Sequence, residues 1–162
     1  MNHYEMLRAV SRTFALSIEK LPPVLREAVT IAYLLFRISD CIEDHATISP
    51  DRKAQLLRLW GEILKGATPA VNLTAELADL DSTDPEVYVA RNADRVMEYL
   101  NDQPQQLREI ISTHAYDTAE GMARWQEQGP IIKTEEEMDD YMHQVAGRVG
   151  YLVTDIFSWY SP

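Results

Sequence analysis

The sequence predicts an all-α protein, with residues 1–162 forming a single helical domain. Three observations support this fold class: apolar residues recur at helical spacing, several helix starts combine a capping residue with a proline, and no segment has a convincing strand pattern. The chain contains 46% hydrophobic and 25% charged residues, which is ordinary for a globular protein that can bury a core.

The first three helices are delimited by prolines and capping residues. The first is predicted over residues 2–20, because the Pro22–Pro23 pair that follows cannot continue it. The second covers residues 24–44 and is largely apolar. The third covers residues 50–66 and starts after Ser49, a favourable capping residue, with proline at its first position.

The middle of the chain repeats these signals. A short helical piece over residues 72–79 precedes Asp84, which is a capping residue followed by proline and opens a helix over residues 85–100. A longer helix is predicted over residues 104–128.

The last helix is predicted over residues 134–156 and continues nearly to the end. Gly129–Pro130 breaks the chain before it, and Thr134 with Glu137 forms a capping box. This helix is strongly apolar and finishes near Trp159 and Tyr160 with nothing after it to cover it, so a partner surface is expected.

Charge and cysteine content exclude several functional classes. The net charge is -11 with a pI near 4.7, which argues against nonspecific nucleic-acid binding. Cys41 is the only cysteine, so no internal disulfide can form and a reducing compartment is expected. Residues 1–12 lack the apolar stretch of a secretory signal, and no run approaches a membrane span. A cytoplasmic location is therefore predicted.

A polar stripe runs along the second predicted helix. Tyr33, Arg37, Asp40 and Asp44 recur at i, i+4, i+7 and i+11, with Glu43 beside them, among apolar neighbours. Three acids at the C-terminal end of a helix are disfavoured by the macrodipole, and a bound divalent cation would resolve that conflict. On spacing alone the alternative, a solvated helix face, remains open. Carboxylates that suit Mg²⁺ and a guanidinium fork that suits phosphate favour a diphosphate held through metal.

Three blocks carry a resemblance to a known family. Residues 11–14 read S-R-T-F, residues 33–44 follow Y-x-x-x-R-x-x-D-x-x-E-D, and residues 141–150 follow Y-x-x-x-V-A-G-x-V-G. In this order and spacing they resemble the squalene/phytoene synthase family, the head-to-head branch of the trans-isoprenyl diphosphate synthases. The resemblance extends from about Ser11 to Phe157 and implies the N-terminal half of that helical fold.

The resemblance implies a function for each block. Asp40 and Asp44, supported by Glu43, would bind Mg²⁺ that bridges to an allylic prenyl diphosphate such as farnesyl diphosphate. Tyr141 would take part in proton handling and, with Arg37, be catalytic. The positions expected to contact the diphosphate or the prenyl tail are Ser11, Arg12, Phe14, Tyr33, Arg37, Val145, Ala146, Gly147 and Gly150. Taken singly, Tyr141 could instead be an interface aromatic, and Ala146–Gly147 could serve tight helix packing.

The chain also departs from the family pattern. Family members are about twice as long and carry a second aspartate-rich motif on a later helix, and no candidate follows Tyr141. The acids of residues 135–140 are expected to cap their helix, and Asp117, Glu120 and Arg124 to form an intrahelical salt-bridge face.

We therefore expect one half of a prenyl synthase that needs a second subunit or a C-terminal half for turnover. Peripheral membrane contact through an apolar product would fit. NADPH, which squalene-forming members use and phytoene-forming members do not, is left open. A noncatalytic prenyl-diphosphate-binding or regulatory subunit is a second hypothesis, and a helical interaction protein with a solvated acidic stripe is a third.

Overall fold

The computed structural model describes residues 1–11, 13–129 and 131–161. In that part of the chain all regular structure is helical, which confirms the predicted fold class. Arg12, predicted to contact substrate, and Pro130, predicted to break a helix, lie outside the described residues. The elements, in chain order, are His3–Val10 (α1), Phe14–Ile18 (α2), Pro23–Asp44 (α3), Pro50–Leu64 (α4), Val71–Glu76 (α5), Pro85–Arg91 (α6), Ala93–Asn101 (α7), Gln105–Gln128 (α8), Glu135–Met142 (α9), a π-helical turn His143–Gly147 and Arg148–Tyr160 (α10).

Helix α3 is the centre of the array. It contacts α1, α4, α6, α7, α8 and α10, and its apolar residues are almost all buried. Helices α4 and α8 pack along their lengths beside it, with Trp60 of α4 fully buried. A helix that is apolar nearly all round must lie inside its domain. The polar positions near the end of α3 are therefore held in place by neighbours on several sides.

The predicted helix starts are confirmed at three places. The side chain of Ser49 accepts a hydrogen bond from the Arg52 N–H, and that of Asp84 accepts one from the Glu86 N–H at 2.8 Å. Thr134 and Glu137 form the predicted capping box at the start of α9. These bonds satisfy backbone donors that a first helical turn leaves unpaired.

Two predicted helices are each divided in the structure. The helix expected over residues 2–20 ends at Val10, because Ser11 is extended and its hydroxyl accepts a hydrogen bond from the Ala15 N–H at 3.1 Å. The helix expected over residues 85–100 is divided at Asn92, whose side-chain amide donates to the Tyr88 carbonyl at 2.7 Å. In both places a short polar side chain bonds nearby backbone and competes with the helical pattern.

The prediction that Asp117, Glu120 and Arg124 pair with one another within α8 is wrong. Asp117 accepts from Arg148 of α10 at 2.9 Å, Glu120 pairs with Arg58 of α4, and Arg124 donates to Asp140 of α9 at 2.8 Å. The three side chains thus connect α8 to three other helices, because α8 lies between them. Asp140, expected to cap α9, lies in its last turn and pairs across the interface instead.

Helix α10 carries an exposed apolar face. Tyr151, Phe157 and Tyr160 are 59%, 40% and 44% exposed. Trp159, expected to lie uncovered, is half-buried against the core, and its Nε1 donates to Gln106 Oε1 at 2.9 Å. None of the helices in the described ranges combines the length and the apolar character needed to cross a membrane.

Candidate functional site

The polar stripe of α3 ends in an ion-paired cluster. Arg37 donates from Nη1 to Asp40 Oδ2 at 3.0 Å and from Nη2 to Glu86 in the first turn of α6. The Nε atom of Arg37 is buried and has no hydrogen-bond partner among the described residues. Glu86 was missed by the sequence analysis, because no motif marks it and only the packing of α6 on α3 brings it to Arg37.

Two acids of this cluster have raised pKa values. Burial raises the pKa of Asp40 to about 6, with Arg37 opposing the shift and Asp44 adding to it. Burial also raises the pKa of Glu43 to about 7, and the charge of Asp44 contributes in the same direction. Both shifts mean that the carboxylates lack enough positive charge nearby to offset their loss of water. A cation is the natural counterpart of such a cluster.

These shifts predict how stability depends on pH. Each carboxyl binds its proton more tightly in the folded protein, so its contribution to stability is present below the unfolded pKa and lost as pH rises through about 6 for Asp40 and about 7 for Glu43. In EDTA, we expect the free energy of unfolding to fall by roughly 4 kcal/mol between pH 5 and pH 8. Urea unfolding monitored by circular dichroism measures it.

A variant isolates the cause of that slope. Glu43→Gln cannot ionise, so it should be more stable than the unmodified chain at pH 8 and should flatten the profile between pH 6 and pH 8. The same slope in both proteins would assign the pH dependence to groups other than Glu43.

The structure brings Tyr141 to the acidic motif. Its ring packs edge-on against Trp125 of α8, with centroids 5.7 Å apart. Burial raises the pKa of Tyr141, and the charges of Glu43, Asp44 and Asp40 raise it further. Tyr141 also lines a cavity of about 280 Å³ together with Glu43, Asp44 and Trp125. The interface-aromatic alternative therefore does not describe the whole environment of Tyr141, which faces the acids of α3.

Trp125 and Gln126 were also missed by the sequence analysis. Gln126 is buried, faces Glu43 and lowers its pKa in opposition to burial. Both residues lie on the last turns of α8, where no motif distinguishes them from other core positions. Trp125 and Gln126 reach the site only because α8 crosses the end of α3.

The other residues predicted to contact the substrate lie in two other regions, one around α2 and one at the start of α10. Phe14 is 64% exposed, and its ring centroid lies 6.1 Å from that of Tyr33, so α2 meets the earlier part of the stripe. Ser11 is buried and its hydroxyl is engaged by backbone. In the third block Val145 packs on the core, whereas three small residues are exposed: Ala146, Gly147 and Gly150.

Ala146, Gly147 and Gly150 are not packed tightly against a neighbouring helix, so the tight-packing alternative does not fit them. A Cβ added to Gly150 would meet nothing within 4 Å, and one on Gly147 would meet only His143 of its own turn. Among the described residues the most tightly packed glycine is Gly121 of α8, where an added Cβ would be 2.6 Å from Gln144.

The donor chemistry fits Mg²⁺, but only as part of a site. Asp40 and Asp44 lie one turn apart on α3, and hard cations of this kind bind carboxylate oxygens. Within residues 1–11, 13–129 and 131–161, no group of three or more His, Cys, Asp and Glu side chains is arranged to hold a metal ion. Because Arg37 already pairs with Asp40, the acids of α3 do not by themselves form a closed cage for a metal ion.

Comparison with known proteins agrees with the fold and with the three blocks. The family model described as squalene/phytoene synthase matches residues 7–162. The chain is 34% identical over 158 residues to squalene synthase ERG9 of Candida albicans and 28% identical over 155 residues to squalene synthase of Homo sapiens, covering 95% and 96% of this chain.

A solved structure agrees as well. The complex of TcSQS with the ligand BPH1237 superimposes with a TM-score of 0.79 at 26% identity, over 98% of this chain and 44% of that one. The chain spans about a third of the length of the curated relatives it matches, 34% for the Candida protein and 35% for the human one. By the match over residues 7–162, the chain belongs to the squalene/phytoene synthase family.

Proposed function

We propose that this chain supplies the first acidic wall of a head-to-head prenyl synthase active site. Asp40 and Asp44 would hold Mg²⁺ that bridges to an allylic prenyl diphosphate such as farnesyl diphosphate. One observation carries the proposal: Tyr141 lies against the acids of α3, about one hundred residues away in sequence, in a cavity lined by Glu43 and Asp44.

Each residue has a task that follows from its surroundings. Arg37 offers a planar fork for diphosphate oxygens once its pair with Glu86 opens, and its Nε is a donor without a partner. Mg²⁺, when bound, would neutralise the diphosphate as a leaving group. Burial and the nearby acids raise the pKa of Tyr141, which favours the protonated phenol, so it can donate a hydrogen bond beside the acids. The rings of Trp125 and Tyr141 form an aromatic side of the cavity that also contains Glu43 and Asp44.

Turnover is proposed to need residues outside this chain. Residues 1–162 contain one aspartate-rich block, and a leaving diphosphate in this chemistry needs positive charge from more than one side. A second subunit or a C-terminal half would supply the opposing wall. Its contact surface would include the exposed face of α10 around Tyr151 and Phe157.

A noncatalytic, diphosphate-binding subunit is the second candidate. One observation favours it: within the described ranges Arg37 is held by Glu86, and no group of three or more His, Cys, Asp and Glu side chains is arranged to hold a metal ion. Such a subunit would bind farnesyl diphosphate with the same residues but would add nothing to turnover beyond what its partner achieves. Kinetics of a reconstituted pair therefore separate the two functions.

The proposed binding is tested by calorimetry. Farnesyl diphosphate is titrated into the protein in Mg²⁺ and, separately, in EDTA. We expect saturable binding in Mg²⁺ and none in EDTA. Farnesol in Mg²⁺ is the control ligand, because it keeps the tail and lacks the diphosphate. Equal binding in both buffers would contradict a metal-bridged site.

Arg37→Lys is expected to weaken diphosphate binding although it conserves charge. The two parallel hydrogen bonds of a guanidinium cannot be reproduced by an ammonium. A lost charge-assisted hydrogen bond costs about 1.5–3 kcal/mol, which corresponds to about tenfold or more in affinity. The same calorimetric titration in Mg²⁺ gives the dissociation constant.

Glu86→Gln is the matched control for that variant. It removes the ion pair with Arg37 but keeps the guanidinium, so it should retain affinity or gain some. If Arg37→Lys binds as tightly as the unmodified chain, Arg37 serves as a local counter-ion to Asp40 and Glu86 and not as a bidentate diphosphate ligand.

A further inference from the structure

A π-helical turn follows Tyr141 almost at once. It spans His143–Gly147 and joins α9 to α10, and Gln144 is its one buried residue. A π turn places an extra residue in one turn of helix and so rotates everything after it relative to everything before it. Such turns are rare and occur frequently at functional sites, so the position of this one, two residues after Tyr141, calls for a physical reason.

Helix α8 provides a notch that receives Gln144. A Cβ built on Gly121 would lie 2.6 Å from Gln144 Oε1 and 3.0 Å from Gln144 Cβ, which is closer than real side chains approach. Only glycine leaves this space, so the backbone of α8 and the π turn can lie close together. The seat of Gln144 is therefore shaped by Gly121.

The amide of Gln144 is bonded on both sides. Its Nε2 donates to Asp140 Oδ1 at 3.1 Å, and its Oε1 accepts from Arg148 Nε at 2.8 Å. The network continues to α8 at both ends, from Arg148 to Asp117 at 2.9 Å and from Arg124 to Asp140 at 2.8 Å. A buried side chain with both polar atoms satisfied rigidifies the elements it joins.

This network lies directly beside the tyrosine. Arg124 and Asp140 form one bridge between α8 and α9, and their chain neighbours Trp125 and Tyr141 form the adjacent aromatic contact at 5.7 Å. We infer that Gln144, seated in the Gly121 notch, is a positioning residue that fixes the Tyr141 ring against Trp125 and beside the acidic motif. Its relevance to a reaction rests on the proposed function of Tyr141.

The test observes Tyr141 without metal, diphosphate or turnover. The protein is labelled with 3-fluorotyrosine, and Tyr141→Phe assigns the ¹⁹F resonance of that ring. Gln144→Met keeps the shape of the side chain and removes both hydrogen bonds. We expect the Tyr141 resonance to move toward the position of an exposed fluorotyrosine and to broaden.

Gln103→Met is the matched control. Gln103 is half-buried, and like Gln144 it donates a hydrogen bond through Nε2, in this case to the Tyr99 carbonyl at 3.3 Å. This variant should leave the Tyr141 resonance in place. If Gln144→Met lowers the melting temperature but leaves that resonance unmoved, Gln144 is merely stabilising and the inference is overturned.

The notch itself is tested by a pair of substitutions. Gly121→Ala should displace Gln144, move the Tyr141 resonance and lower the melting temperature. In a Gln144→Ala background the new methyl group no longer meets the amide oxygen, so the same change should cost less. Strictly additive losses would show that the two residues do not act together. Because all readouts are taken on the free protein, failure of diphosphate binding would leave this result standing.

Discussion

Asp40→Asn and Asp44→Asn are each expected to weaken Mg²⁺-dependent binding of farnesyl diphosphate by about 100-fold or more while leaving helicity unchanged. Loss of a group that only supports a metal ligand already costs about 10–100-fold, so the loss of a ligand should cost at least the upper value. Calorimetric titration in Mg²⁺ measures the affinity, and far-ultraviolet circular dichroism measures the helicity.

The structure explains why binding and stability should separate. The pKa of Asp40 is raised to about 6 because burial outweighs its attraction to Arg37, so the ionised carboxylate is unfavourable in the folded protein. An asparagine of nearly the same shape removes that cost, and Arg37 keeps its pair with Glu86. The free energy of unfolding at pH 8 should therefore stay level or rise in Asp40→Asn.

Asp102→Asn provides the matched control. Asp102 is an exposed acid at the C-terminal end of α7, so it shares the unfavourable position with respect to the helix dipole but lies on a different helix. It should bind farnesyl diphosphate like the unmodified chain. Equal binding by the unmodified chain and both α3 variants would contradict the proposed metal site. The acidic stripe of α3 would then be a solvated helix face.

Local signals in the sequence were sufficient for the helix starts and for the stripe on α3. Ser49, Asp84 and Thr134 act through their own first turns, so their effect is readable from neighbouring residues alone. The same holds for the stripe, whose spacing fixes one helix face. The family resemblance implied a role for Tyr141 in proton handling, but its proximity to these acids was not predicted, because nothing local to Tyr141 encodes it.

What the sequence did not reveal depends on packing between distant segments. The Arg37–Glu86 pair joins α3 to α6, and the π turn at residues 143–147 makes sense only once Gly121 is placed opposite Gln144. Glu120 and Arg124 are four residues apart on α8 and could have paired within that helix. Their partners lie on α4 and α9 because the helix crossings offer a closer charge.

The second large effect concerns turnover. We expect residues 1–162 alone to form no head-to-head C30 product from farnesyl diphosphate and Mg²⁺, and to gain this activity with a polypeptide that carries a second aspartate-rich motif. Mg²⁺ held by the acids of α3 would neutralise the diphosphate from one side only. The cavity at Tyr141 would admit water, so any slow ionisation should yield an alcohol.

The experiment compares four mixtures by product analysis, each with and without NADPH. The first contains this chain alone, and the second adds a candidate partner with a D-x-x-x-D motif. The third adds the same partner with both aspartates replaced by asparagine, and the fourth contains the unmodified partner without this chain. Only the second should form C30 product. Co-elution of chain and partner in size-exclusion chromatography shows whether a complex forms in the second and third mixtures.

The exposed face of α10 connects this prediction to the structure. Tyr151 and Phe157 are 59% and 40% exposed, and burying such side chains would favour association. Tyr151→Glu should therefore abolish both co-elution and C30 product, whereas Asp102→Asn should preserve both.

C30 product from the chain alone would contradict the turnover prediction. It would require a second metal wall from another copy of this chain or from the acids at residues 135–140. If product forms with the partner but is unchanged when this chain is left out, the noncatalytic candidate is the correct one.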